Sequence, residues 1–163
     1  MTQMYLVEPI KQPNWSACWY TALTMVERAH QLRTGLQSVT SPELEEVVYQ
    51  PKAKAQKALN LFNRANINDF LARLGFGSRT IETTPEAFVA VIVQRGPFAY
   101  VAAAGNPIYQ HTLVITGLHR NASRTYTIFY NDPVDGQSHR DEFYAFMNKH
   151  LPAWGDRAFI VTS

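Results

Sequence analysis

The hydrophobic period of the sequence changes near Pro97, and this change limits the folds open to the chain. Before Pro97, apolar side chains recur mainly at helical spacing. After it come short runs rich in Val, Ile, Thr, Tyr and Phe, bounded by turn residues as strands are. The predicted strands are Phe98–Ala103, Gln110–Leu118, Tyr126–Asn131 and Ala158–Thr162. Helices followed by closely connected strands predict an α+β fold with an antiparallel sheet rather than βαβ winding.

The helical part is predicted from spacing and from start and stop signals. The first helix places Trp19, Leu23 and Val26 on one face and has Gly35 as its stop. The predicted helices are Ser16–Arg33, Ser41–Glu45, Lys52–Arg64, Asn68–Leu74, Pro85–Gln94 and Asp141–His150. We expect the N-terminal helical part to pack on the C-terminal sheet, with a cleft between them.

Composition indicates one globular domain spanning residues 1–163, with 46% hydrophobic residues and no repeat or linker to divide it. Charged residues are 17% of the chain, the net charge is +2, and Lys and Arg are scattered, so nucleic acid is not an expected partner. The apolar runs are too short to span a bilayer, and the first residues do not resemble a signal peptide, so no membrane partner is expected. The single cysteine rules out an internal disulfide, which fits a reducing compartment and equally fits a secreted domain without one. Of the two, action in the cytoplasm is favoured.

Cys18, the sole cysteine, falls in the first turn of the first predicted helix. A thiol reacts as its thiolate, which a helix N-terminus and a neighbouring imidazolium both stabilise. Lone cysteines are more often small buried hydrophobes, so the nucleophile interpretation requires a base from another element. His111, at the start of a predicted strand, is the best candidate for that base. The other histidines are expected in the core (His30) or in solvent (His119, His139, His150).

The strand that carries His111 is predicted to form a hairpin with the next strand. Pairing His119 with Arg124 across a short loop sets His111 opposite Asp132. A carboxylate or amide at that position could orient the imidazole. A slip of one residue would present Asn131 instead, so the hairpin alone leaves both open. No metal or cofactor is expected, because the sequence lacks His and Cys ligands at metal-binding spacing.

Two parts of the sequence resemble papain-like cysteine peptidases. The run Gln12-Pro-Asn-Trp-Ser-Ala-Cys-Trp19 resembles their nucleophile segment, with a glutamine ahead of the cysteine and a tryptophan directly after it. His111–Gly117 and Asn131-Asp132-Pro133 are similar to segments of compact bacterial members. Those members include effector peptidases that bacteria deliver into other cells and double-glycine leader peptidases of bacteriocin exporters. The resemblance covers about residues 12–26 and 98–134.

The resemblance implies a role for each matching residue. Cys18 would attack a peptide carbonyl, His111 would take and return the proton, and Asp132 would orient His111. Asp132 is favoured over Asn131 because in both bacterial groups an aspartate before a proline is the third member. The side chain of Gln12 and the backbone N–H of Cys18 would donate to the oxyanion.

The sequence gives fewer indications of which residues line the substrate cleft. Trp15 and Trp19 flank Cys18 and are candidates to line it, with packing as the alternative for Trp15 and a supporting role for Trp19. The stretch Phe98–Pro107 contains three successive alanines and leads directly into His111. This composition favours a cleft wall of small side chains and a narrow, glycine-accepting subsite.

The expected function is cleavage of a specific protein by a cysteine endopeptidase. The resemblance implies a bacterial effector or toxin domain, secreted or delivered, that acts in the cytoplasm of a target cell. A cognate immunity protein covering the cleft is the expected partner besides the substrate. Alternatives are a papain-like acyltransferase or deamidase, a cell-wall peptide hydrolase and an inactive papain-like binding module. The cell-wall enzymes generally have an aspartate where this chain has Ala17, and therefore rank lower.

Overall fold

The computed structural model describes residues 2–12, 18–35, 67–106 and 109–163. These residues form four helices and seven strands. The helices are α1 (Cys18–Thr34), α2 (Ile67–Arg73), α3 (Pro85–Arg95) and α4 (Phe143–Lys149). The strands are β1 (Thr2–Met4), β2 (Gly77–Ile81), β3 (Phe98–Asn106), β4 (Tyr109–Arg120), β5 (Tyr126–Asp132), β6 (Gln137–Glu142) and β7 (Ala158–Thr162).

The strands form one antiparallel sheet in the order β2-β7-β3-β4-β5-β6, with β1 paired to β4. The predicted α+β class is therefore confirmed. Consecutive strands β3, β4, β5 and β6 are neighbours in space, as short connections require. None of the helices in the described ranges has both the length and the apolar character needed to cross a membrane.

Each face of the sheet is covered by its own hydrophobic cluster. One cluster, the aromatic core, includes Phe88, Phe98, Tyr100, Tyr130, Phe143 and Phe146 and is covered by α3 and α4. The other, the α1 core, includes Trp19, Leu23, Val26, Leu71, Val101 and Phe159 and is covered by α1 and α2. Alternation along β4 sends Leu113 to the aromatic core and Val114 to the α1 core.

The structure contains the predicted helices and strands that have the most apolar sequences, and only their end residues differ from the prediction. Helix α3 begins at Pro85, where the Thr84 hydroxyl accepts a hydrogen bond from the Ala87 N–H at 3.3 Å. Strands β3, β4, β5 and β7 include the four predicted ones. The helices predicted at 41–45 and 52–64 lie outside the described residues.

Three strands were not predicted, and one predicted helix starts too early. Strands β1, β2 and β6 are short or polar and lack the apolar alternation that marks a strand. The helix predicted from Asp141 begins at Phe143, because Asp141 and Glu142 complete β6. The Glu142 carboxylate then caps α4 by accepting from the Tyr144 N–H at 2.9 Å.

Residues 5–12, which belong to neither helix nor strand, follow β1 and are here named the N-terminal strap. Its first residue, Tyr5, donates its backbone N–H to the Thr116 carbonyl of β4 at 2.9 Å. Its last residue, Gln12, donates its backbone N–H to the Pro133 carbonyl at 2.7 Å. The strap thus connects β4 to the turn between β5 and β6.

Candidate active site

Cys18 is the first residue of α1, and its side chain lies against the start of β4. The residue is 7% exposed, and its Sγ donates to the Gln110 carbonyl at 3.7 Å. Gln110 directly precedes His111, and the thiol also interacts with the His111 side chain. The structure therefore brings the predicted nucleophile and the predicted base together.

His111 is held on its other side by Asp132. The Nε2–H of His111 donates to Oδ1 of Asp132 at 2.8 Å, and the two side chains are 17% and 20% exposed. Because Nε2 is used in this bond, Nδ1 is the ring nitrogen left for Cys18. The order of side chains, thiol then imidazole then carboxylate, is the order that a triad of this kind requires.

The environment of His111 favours its charged form. Burial opposes protonation, but the hydrogen bond with Asp132 and the contact with Cys18 outweigh it and raise the pKa of His111 to about 9. Burial would raise the pKa of Asp132, yet the His111 ring and the Val134 N–H, at 2.9 Å, hold that pKa below its usual value. At neutral pH the pair is therefore an imidazolium beside a carboxylate.

The predicted register of the hairpin is wrong, although the side chains of His111 and Asp132 still meet. The loop is longer than predicted, because Arg120 pairs with Tyr126, and a bulge interrupts β4 between Ile115 and Gly117. Beyond the bulge, Val114 lies opposite Asn131, two residues from its predicted partner. A shift of two residues keeps each side chain on its face of the sheet, whereas a shift of one would reverse it. His111 and Asp132 therefore share a face and bond across the end of the hairpin.

Asn131, the alternative third member, points elsewhere. It is 1% exposed, and its Nδ2 donates to the Val7 carbonyl at 2.9 Å. Its Oδ1 accepts from the Ser138 hydroxyl at 2.7 Å. The residue that contacts His111 is therefore Asp132, and Asn131 is bonded to the strap and to β6.

Gln12 lies beside the turn that follows Asp132. Its backbone N–H bonds to Pro133, and an added Cβ on Gly136 would meet the Lys11 Cβ at 2.6 Å, so strap and turn are in close contact. The Gln12 Oε1 is buried with no hydrogen-bond partner in the described part of the chain. The backbone of Gln12 is thus placed one residue from Asp132, and the side-chain atom without a partner is an acceptor.

A comparison with protein families decides the class to which this site belongs. The family model for the papain-like cysteine protease AvrRpt2 matches residues 2–151, a span that includes Gln12, Cys18, His111 and Asp132. The chain belongs to the AvrRpt2 family of papain-like cysteine proteases. This confirms the resemblance to papain-like peptidases of the bacterial effector type, and the enzyme class is hydrolase. A search of curated proteins finds no match to the chain.

Of the two tryptophans predicted to line the substrate cleft of this AvrRpt2-family chain, the structure describes Trp19. Trp19 is 4% exposed and packs in the α1 core, with its ring edge-on to Tyr20 at 6.2 Å. The prediction that Trp19 lines an open cleft is wrong, because its position on α1 directs the side chain at the sheet. Its packing there agrees with the alternative, a supporting role. Trp15 lies outside the described residues. Of the three successive alanines, Ala102 is buried and Ala103 is exposed and paired with Gln110.

His150 is a residue near the site whose burial sequence reasoning missed. It was expected in solvent, but its ring packs 4.9 Å from Phe146 and 5.4 Å from Tyr130. Burial, then Lys149 and His111, lower the pKa of His150 to about 4, so it is neutral while His111 is charged. Phe146, one turn earlier on α4, is the only sequence signal that could have suggested packing.

The charged residues do not form a metal site in the part of the chain that the structure describes. No group of three His, Cys, Asp or Glu side chains there is arranged to hold a metal ion. The described polar groups around Cys18 instead suit acyl transfer through a thiol.

Proposed function

We propose that the protein is a cysteine endopeptidase that cleaves a specific protein substrate with Cys18, His111 and Asp132. The observation that carries the proposal is the 2.8 Å bond between His111 Nε2 and Asp132 Oδ1, which leaves the second ring nitrogen for Cys18. Family membership supplies the reaction class, hydrolysis by a papain-like cysteine protease.

In the proposed first half-reaction, the sulfur of Cys18 forms a bond to the substrate carbonyl carbon. The carbonyl π electrons move to oxygen, and the resulting oxyanion accepts hydrogen bonds from the Cys18 backbone N–H and the Gln12 side chain. Collapse of this intermediate breaks the C–N bond, and the imidazolium of His111 donates its proton to the leaving amine. The product is a thioester between Cys18 and the first part of the substrate.

In the second half-reaction, water replaces the amine. Neutral His111 accepts a proton from water as the oxygen attacks the thioester, and the sulfur leaves with its electron pair. Asp132 keeps the ring in the tautomer that faces Cys18 throughout. The raised pKa of His111, about 9, supports this cycle because the ring returns to the protonated state at neutral pH.

The substrate preference that we propose is a small residue, glycine above all, next to the cleaved bond. Ala103 is exposed and lies opposite Gln110, whose carbonyl contacts the Cys18 sulfur. The β3 strand thus runs close to the nucleophile and offers a small side chain there. Because the β3 backbone lies this close to Cys18, it would leave little room for a substrate residue with a branched side chain.

The proposed biological role is that of an effector or toxin acting inside a target cell. Membership in a family of the effector type supports delivery into another cell, where the substrate would be a cytoplasmic protein. If the target is another bacterium, the producing cell would carry an immunity protein that covers the cleft around Cys18.

The proposed chemistry is tested with a peptide library digested from a whole proteome. Native protein and Cys18→Ala are incubated with the library, and new peptide ends are identified by mass spectrometry. We expect a small set of cleavages with glycine next to the cleaved bond, absent with Cys18→Ala. Joined peptides or released ammonia without hydrolysis would instead indicate an acyltransferase or a deamidase.

The biological role is tested by expression in a bacterial cytoplasm and, separately, in a eukaryotic cell. We expect the native protein to slow growth of its target and Cys18→Ala to be harmless. Equal growth of the two in bacteria would contradict the antibacterial role and the immunity partner. Equal growth in both hosts would contradict the toxin role altogether.

A further inference from the structure

Asn131 is a buried polar residue whose side chain points away from the proposed triad. It directly precedes Asp132 on β5, and successive side chains of a strand face opposite sides of the sheet. Asp132 therefore faces His111, while Asn131 faces α1 and the N-terminal strap. Asn131 is 1% exposed, and burial of a carboxamide is unfavourable unless its polar atoms are bonded.

Both ends of the Asn131 carboxamide are bonded, to three different elements. Nδ2 donates to the Val7 carbonyl at 2.9 Å and to the Met25 sulfur at 3.7 Å. Oδ1 accepts from the Ser138 hydroxyl at 2.7 Å. Val7 belongs to the strap, Met25 to α1 and Ser138 to β6, so one side chain on β5 joins all of them.

Two of the three segments that Asn131 joins, the strap and α1, lead to groups of the proposed mechanism. The strap ends at Gln12, and α1 begins at Cys18, about two turns before Met25. A hydrophobic side chain of similar size would fill this position without the cost of burying an amide. What the carboxamide adds is direction, because it fixes the strap carbonyl relative to α1 and β5. Misplacement of a reacting group by about 1 Å can slow an enzyme about 10²-fold.

We propose that Asn131 is a positioning residue for the oxyanion step. Its carboxamide holds the strap against α1 so that Gln12 and Cys18 act on the same substrate carbonyl. This inference rests on the proposed function and adds to it a residue that acts through Gln12. Asn131 itself contacts neither the substrate nor His111.

The test compares two substitutions at the two ends of one hydrogen-bonded unit. Asn131→Asp keeps the size and the oxygen that accepts from Ser138 but removes the N–H donors to Val7. Ser138→Ala is the matched control, since it removes the other bond and leaves the donors. With the peptide best cleaved by native protein, we expect Asn131→Asp to lower kcat about 10- to 100-fold with KM within about threefold. Ser138→Ala should stay within about threefold of native kcat.

Alkylation of Cys18 distinguishes a loss of positioning from a general loss of structure, because only a general loss of structure should change the alkylation rate. Iodoacetamide alkylates the thiolate without forming an oxyanion, so the alkylation rate and its pH profile should stay within about twofold of native in Asn131→Asp. In a Gln12→Ala background, Asn131→Asp should cost little further kcat, because both changes remove the same contribution. Thermal unfolding checks that each variant is folded.

Several results would overturn the proposal. One is a folded Asn131→Asp protein with native kcat, and another is a parallel loss of kcat and alkylation. Full additivity with Gln12→Ala would also overturn it. If Asn131→Asp does not fold, Asn131→Gln replaces it, with the same expectations, because it keeps the carboxamide but moves it by one methylene. Native protein that cleaves no peptide and leaves Cys18 unlabelled would overturn the proposed function itself, before any Asn131 variant is made.

Discussion

The two halves of the candidate site are held in place differently. His111 and Asp132 lie on neighbouring strands of one hairpin and bond directly at 2.8 Å. Gln12 and Cys18 lie on the strap and on α1, which contact the sheet and its turns separately, for example through the Gln12 to Pro133 bond at 2.7 Å. The sheet half is therefore fixed by local pairing, and the N-terminal half depends on contacts between distant segments. We expect the sheet half to govern proton transfer and the N-terminal half to govern alignment.

The largest effect is expected for the sheet half, in His111→Ala. Removal of the acid and base should lower kcat for the selected peptide by about 10²- to 10⁴-fold. The matched control is His139→Ala, because His139 forms a bond of the same length, 2.8 Å, with Asp135 but is more exposed. Similar losses in the two variants would show that the effect is structural and would end the assignment of His111 as the base.

The next effect is expected for the N-terminal half, in Gln12→Ala. Loss of one oxyanion donor should lower kcat by about 10²- to 10³-fold, and leave alkylation of Cys18 by iodoacetamide unchanged. The control is Gln3→Ala, because Gln3 lies in β1, directly before the strap and away from Cys18 in the sequence. This variant should retain native kcat. A Gln12→Ala enzyme that keeps native kcat would remove Gln12 from the mechanism.

A smaller effect is expected from a substitution that moves the strap without touching a reacting group. Gly136 has φ +68°, and its Cβ would meet Lys11 backbone and side-chain atoms at 2.6–3.0 Å, so Gly136→Ala should displace the strap. We expect a loss of kcat of about tenfold or more. Gly155→Ala is matched, because Gly155 has φ +86° but nothing within 4 Å of its Cβ.

Both glycine variants should lose about 1–3 kcal/mol of stability from the strained backbone, as measured by urea unfolding. Activity should separate them, with Gly155→Ala close to native. Equal activity in the two variants would show that the position of the strap does not matter for catalysis.

A further prediction concerns the pH dependence of stability rather than the rate. The folded pKa of His111, about 9, lies above its unfolded value, so its contribution is complete below pH ~6.5 and lost as pH rises through about 9. Asp132→Asn removes the charge that favours the imidazolium, so the fall in unfolding free energy between pH 6.5 and 9 should shrink, by on the order of 2 kcal/mol. Urea unfolding across this range measures it, and an unchanged slope would contradict the ion pair.

The strength of the local pattern in each strand explains how much of the sheet could be predicted from the sequence. Strands β3, β4, β5 and β7 are rich in β-branched and aromatic residues, so their local pattern was sufficient. Strand β6 has the sequence Gln-Ser-His-Arg-Asp-Glu and, among the described strands, pairs only with β5. Local pattern could not predict such a charged edge strand.

Tertiary contacts account for what the sequence could not predict at the site. The structure brings the predicted residues Cys18, His111 and Asp132 together, but the predicted hairpin register is wrong, because neither the longer loop nor the bulge in β4 can be read from one sequence. The role of the strap was missed for a similar reason. Its bonds to Asn131 and Pro133 link residues far apart in the chain.

The most direct test of the proposed triad is labelling of Cys18 by a papain-type epoxide inhibitor, followed by intact-mass measurement under native conditions. We expect a single adduct on Cys18 that forms with native protein and with His139→Ala, and much more slowly with His111→Ala. Absence of the adduct on folded native protein, or equal labelling rates in His111→Ala and His139→Ala, would contradict the proposed triad.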